Sequence, residues 1–90
     1  MPRKRPPPSP SPGPTRVRTV GDLGKVVRAS RRGARTDQVT AAGLAGVGAR
    51  FLGDIERGKP TVRLGLTLQV LERLGLELWV APRGALPRKP

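Results

Sequence analysis

The residues of this chain best suited to recognition chemistry lie in one short stretch, Ala49-Arg50-Phe51-Leu52-Gly53-Asp54-Ile55-Glu56-Arg57. Wound as a helix at about 100° per residue, it places Phe51, Leu52 and Ile55 on one side. Ala49, Arg50, Gly53, Asp54 and Arg57 then fall on the other, where they could enter a DNA groove. A guanidinium can donate to guanine O6 and N7 together, which is worth about 1–3 kcal/mol of discrimination, so Arg50 is the best reader of a base edge. The Asp54 carboxylate either accepts from a cytosine amine or forms a salt bridge with Arg57 or Arg50.

Reaction chemistry has little to work with. The 90 residues contain no histidine and no cysteine, which removes imidazole and thiolate ligands, disulfides and the commonest general base. Asp22, Asp37, Asp54, Glu56, Glu72 and Glu77 are the six carboxylates, spread singly and without a triad partner or phosphate loop. These absences argue against an enzyme, a metal site and a cofactor. Eighteen Lys and Arg against six acids give a net charge of +12, with one Trp, one Phe and no Tyr. That balance suits the phosphate backbone of duplex DNA better than stacked single strands. No apolar run reaches the ~18 residues of a membrane span, and Met-Pro-Arg-Lys-Arg leads into prolines instead of a signal core. A cytoplasmic, nucleoid-associated protein is expected.

The elements that must position Arg50 can be read from the rest of the chain. Residues 1–14 hold seven of the eleven prolines, so 1–18 reads as a disordered Pro/Arg-rich arm whose Arg3-Lys4-Arg5 could touch a phosphate or the minor groove. Residues 82–90 read as a second disordered basic tail. Between them, 19–81 reads as one small domain, marginal alone and helped by oligomerisation. A first helix is expected from about Val20 to Arg32, capped by Thr19, with Leu23, Val26, Val27 and Ser30 on one side and Gly33 as its stop. A second begins at Asp37 or Gln38 and turns Ala41, Ala42 and Leu44-Ala45 inward. The third follows Gly48. Thr61 can cap a fourth, in which Leu64, Leu68, Leu71 and Leu74 follow core spacing. Leu66 and Val70 lie on another side of it, either as a partner surface or against the chain's own C-terminal segment. Leu76-Glu77-Leu78-Trp79-Val80 then alternates like a strand, which must pair with Arg16-Val17-Arg18 or with the same strand of a second subunit.

The strings Gly46-Val47-Gly48, Phe51-Leu52-Gly53-Asp54-Ile55-Glu56-Arg57-Gly58-Lys59-Pro60-Thr61 and Leu71-Glu72-Arg73-Leu74-Gly75-Leu76-Glu77-Leu78 resemble the XRE/Cro-repressor helix-turn-helix family. The closing half is similar to its HipB-like antitoxin branch. The resemblance covers about residues 20–81. It implies an all-α, lambda-repressor-like four-helix DNA-binding domain with a C-terminal β-strand, 76–80, that pairs in a dimer. It implies base contacts from the third helix, drawn here from Ala49, Arg50, Gly53 and Asp54, and phosphate contacts from Gln38, Arg57 and Lys59. Glu56 matches an acid that is usually structural in the family, through a salt bridge to an Arg or a bond to a loop amide. The dimer or partner surface is expected at Leu66, Val70, Leu76, Leu78, Trp79 and Val80. Gly48, Gly53, Gly65 and Arg35-Thr36-Asp37 depart from the family pattern.

The expected function is a repressor that binds a near-palindromic operator as a homodimer. The resemblance adds an antitoxin role toward a HipA-like kinase toxin, with control of its own operon. A stand-alone XRE-type regulator without a toxin partner is the alternative.

Overall fold

The computed structural model describes residues 14–85. The Arg3-Lys4-Arg5 motif and the last residues of the basic tail lie outside the described residues. Four helices follow in order: α1, Val20–Gly33; α2, Gln38–Ala45; α3, Ala49–Glu56; and α4, Leu64–Arg73.

Local chemistry sets where the helices start. Thr19 caps α1 through a reciprocal box, its hydroxyl accepting from the Asp22 N–H at 3.0 Å while Asp22 accepts from the Thr19 N–H at 3.2 Å. The Arg18 N–H also donates to Asp22 at 2.9 Å, and these amides hold its carboxyl below the usual aspartate value. Asp37 caps α2 by accepting from the Thr40 N–H at 2.7 Å. Gly48 precedes α3 with no side-chain cap bond, as expected. The fourth helix departs from expectation: Arg63, not Thr61, holds its N-cap position, and no side chain caps it.

The stop of α1 also departs from expectation. Gly33 is inside the helix, and the left-handed residue that closes it is Arg35, with φ 58°. The Arg35 N–H donates to Arg32 O at 2.9 Å and the Thr36 N–H to Arg31 O at 3.1 Å, the bond pair of a Schellman closure. Because these bonds fix the end of the helix, Gly33 does not have to.

The core is Val27 of α1, Ala41, Ala42 and Ala45 of α2, Leu52 and Ile55 of α3, and Val70 and Leu71 of α4. α3 packs between α1 and α2, and α4 packs on α2. Gly24 makes the α1–α3 approach possible: a Cβ there would stand 2.2 Å from Ile55 O and 2.9 Å from Glu56 O. Leu44, expected inward, is exposed; the small alanines let α2 pack closely and leave Leu44 beyond the contact.

The rotation of α4 corrects the sequence reading. Leu64 is 67% exposed and Leu68 40%, whereas Thr67 and Val70 are buried with Leu71. Val70 is therefore not available to a partner, and Leu66 is half-buried. The apolar positions of this helix cover too wide an arc for periodicity to choose the core side. Thr67 can lie on the buried side because its hydroxyl donates to Arg63 O at 2.8 Å and leaves no orphaned donor.

Among the described residues there is no strand, which corrects the expected element at 76–80. Leu76–Val80 is not paired with Arg16–Arg18. The physical reason is that a strand exists only as part of a ladder, and the described residues of one copy offer that segment no edge. After the Gly75 turn, in which the Leu76 N–H donates to Leu71 O at 2.8 Å, the chain runs on over the surface.

Candidate nucleic-acid interface

α3 is held by its apolar side, with Leu52 and Ile55 fully buried and Phe51 and Ala49 partly buried against the core. Of the four residues assigned to base contact, the structure gives only Arg50 an unencumbered side chain. It is exposed, and among the described residues it has no ion pair or hydrogen bond. Ala49 is half-buried on the core. Gly53 is buried, with the Arg57 guanidinium 3.1 Å and the Gln38 amide oxygen 3.5 Å from where a Cβ would stand. Asp54 is bridged by Arg57 Nη2 at 2.5 Å and faces Lys59 Nζ at 3.6 Å. Its carboxylate thus forms the salt bridge that the sequence offered as one of its two roles.

A second set of bonds fixes how α1, α2 and α3 meet. Arg31 Nε and Nη2 donate to the two Glu56 oxygens at 2.7 and 2.9 Å, in a bidentate pair. Gln38 Nε2 donates to Glu56 Oε1 at 3.0 Å, and Arg31 Nη1 to Thr36 O at 2.9 Å. The Glu56 side chain is 4% exposed. Burial pushes its carboxyl up, but the hydrogen bonds from Arg31 and Gln38 outweigh that, and the group sits below the usual glutamate value. The bond to Glu56 in turn raises Arg31 above the ordinary arginine value. Glu56 therefore has the structural role the sequence suggested. Gln38 spends one amide hydrogen on Glu56, which fixes its side chain at the start of α2 and leaves a second donor.

Arg57 and Lys59 follow α3 on the Gly58 turn, where the Gly58 N–H donates to Ile55 O and the Lys59 N–H to Asp54 O. Asp54 thus gathers the two cations assigned to phosphates, and both remain more than half exposed. Along α4 and the segment after it, Leu68, Leu76, Leu78, Trp79 and Val80 line an open groove of about 520 Å³. Leu78, Trp79 and Val80 are exposed as the sequence reading expects, and Leu76 is half-buried. Leu64 and Leu68 join the exposed set in place of Val70.

Two positions escape a reading of the sequence. Gly24 lies inside an uninterrupted helical pattern, so its only signal is a helix-weakening residue with no local use. Arg35 stands among the departures from the family pattern, but nothing in its type announces a left-handed backbone.

No protein-family profile matches the chain. The HTH-type transcriptional regulator y4mF of Sinorhizobium fredii is 44% identical over 69 residues, which are 77% of this chain and 91% of that protein. Among solved structures, HipB(S29A) in complex with an O2 20mer superposes with a TM-score of 0.71 at 14% identity, covering 79% of this chain and 99% of that one. A HipA-HipB-O2-O3 complex matches with a TM-score of 0.70 at 14% identity, covering 77% and 97%. The restriction-modification controller protein C.AhdI of Aeromonas hydrophila matches with a TM-score of 0.57 at 29% identity, covering 64% and 84%.

Proposed function

The chain belongs to the helix-turn-helix transcriptional regulators of XRE/Cro type, and from that membership we propose a sequence-specific repressor that binds a near-palindromic operator as a two-fold dimer. The observation that carries this reading is Arg50, an exposed and unpaired guanidinium in the first turn of a helix whose other side is buried. Ala49 is half-buried and Gly53 buried, neither brings a polar side chain, and Asp54 is spent on Arg57. Base reading by one subunit is therefore modest, and two-fold repetition supplies much of the discrimination. Gln38, Arg57 and Lys59 position the duplex through phosphates without reading sequence. Leu68, Leu76, Leu78, Trp79 and Val80 provide the seam between subunits.

The finer role is that of an antitoxin that restrains a HipA-like kinase and represses its own operon. Its support is the fold shared with HipB over almost all of that protein, together with the apolar C-terminal groove. A stand-alone regulator without a toxin is the second reading, favoured by the higher identity to C.AhdI and y4mF. Capture from native cells with the intact chain separates them: recovery of a kinase-like partner supports the first, and its absence the second.

Selection of duplexes from a random pool tests the shared core of both. The expected product is an inverted repeat with half-sites about one helical turn, ~10 bp, apart or a multiple of it. Arg50→Ala should flatten the preference at one position per half-site by about 1–3 kcal/mol, while Lys59→Ala weakens all duplexes alike. An Arg50→Ala motif and affinity identical to wild type would remove Arg50 from its role.

A further inference from the structure

We infer that the exposed face of α1 is a second phosphate-binding surface, which engages duplex backbone outside the groove occupied by α3. Lys25, Arg28 and Arg32 recur at i, i+3 and i+7, so they share one face of the helix, and all three are exposed. Arg35, two residues beyond the end of the helix, is exposed as well. Among the described residues none of the four forms an ion pair, since the salt-bridged acids Asp54 and Glu56 are held by Arg31, Arg57 and Lys59. The field of Lys25 reaches Asp22, but that carboxylate is taken up by the amides it caps.

Folding does not account for this stripe. Like charges three and four residues apart work against a helix. Cations complement the helix dipole only in the last turn, which explains Arg32 but not Lys25 or Arg28 in mid-helix. Arg35 occupies the left-handed region with φ 58°, where a glycine would sit without strain. Four exposed cations, one of them in a strained backbone conformation and none with an acid bonded to it among the described residues, fit a polyanion.

Placement favours duplex DNA over an acidic protein. The end of α1 that carries Arg32 and leads into Arg35 is tied to the start of α2, since Arg31 donates to Thr36 O and shares Glu56 with Gln38. The stripe therefore runs up to the same helix terminus that the proposed function sets against the backbone. Its phosphates come from the flank of the bound operator or from a separate duplex segment. The inference rests on that DNA-binding reading.

The test compares wild type with the variant Lys25→Gln/Arg28→Gln/Arg32→Gln/Arg35→Gln on two probes, the selected operator alone and the operator extended by about one helical turn on each side. Circular dichroism checks that the variant keeps its helices. Wild type is expected to gain affinity from the flanks. Removing one cation–phosphate interaction lowers the slope of log K against log salt by about 0.9, so the variant's slope should fall by roughly 2–4 per subunit, with no gain from the flanks. A wild-type complex on the short probe that captures a second, unrelated duplex, when the variant does not, assigns the phosphates to a separate segment. Arg35→Gly alone should raise Tm while lowering the salt slope, which a purely structural residue would not do. If wild type binds DNA and the variant matches its slope on both probes and captures no second duplex, the inference is overturned while the repressor reading stands. If wild type binds no duplex at any salt, that reading fails and this one with it.

Discussion

Where α1 meets α3, Gly24 brings two backbones together, and Arg31 and Gln38 both donate to Glu56 in a largely enclosed site. Where α4 runs into Leu76–Val80, the reverse holds: Leu68, Leu78 and Trp79 remain on the surface beside an open groove, and the backbone of the segment has no ladder. The first region has no further partner to find in order to hold its shape. The second carries apolar surface that a soluble monomer ordinarily covers. In the function proposed above, the first region presents Arg50 rigidly and the second is the surface offered to subunits or clients.

The contrast breaks most sharply at Gly24. Adding one methyl in Gly24→Ala cannot be absorbed by a side chain, because the atoms it meets, Ile55 O and Glu56 O, belong to the backbone of α3. Overpacking of this kind costs about 3 kcal/mol, and for a domain of this size Tm should fall by roughly 12–24 °C in thermal unfolding followed by circular dichroism. A Tm within a few degrees of wild type would mean that α1 and α3 separate easily and that the closed region is no more closed than the other.

A smaller and different effect is expected at the open region. Leu68→Ser/Trp79→Ser removes two exposed side chains, 40% and 69% accessible, so the helices of the single chain should be retained. Sedimentation equilibrium should instead show self-association weakened at least about tenfold, a loss of ~1.4 kcal/mol, and Tm should cease to rise with protein concentration. An unchanged dissociation constant would move the subunit seam elsewhere on the molecule.

Sequence legibility divides along the same line. The starts of α1, α2 and α3 are readable because Thr19, Asp37 and Gly48 act within one turn of where they stand. Arg50 is readable because Leu52 and Ile55 leave no doubt about which side of α3 is buried. α4 is not, since its leucines and Val70 surround too much of the helix for periodicity to choose a side, and a polar residue, Thr67, lies on the side that is buried. The 76–80 strand fails for another reason: alternation reports what a segment could do beside an edge, and the described residues offer it none. Gly24 and Arg35 stay hidden because a close crossing and a left-handed closure are properties of tertiary packing, with no period in sequence.

The mildest test of the closed region is acid. Hydrogen bonds hold Asp22 and Asp37 below the usual aspartate value, through the amides of Arg18 and Thr19 for the first and of Thr40 for the second. At Glu56, burial opposes ionisation, but Arg31 and Gln38 outweigh it and leave that carboxyl low as well. A group whose folded pKa lies below its unfolded one stabilises the fold above the unfolded value, and that contribution fades as pH falls toward the folded one. Stability should therefore be flat near neutral pH and decline below about pH 4.5, where unfolded carboxylates begin to bind protons. Two of the three groups are solvated caps, so Glu56 should set most of the slope. In Glu56→Gln the acid limb should become shallower even as the domain becomes less stable at neutral pH. An acid limb as steep as that of wild type would assign the sensitivity to the caps and take the Arg31–Glu56–Gln38 bonds out of the account of why this region is closed.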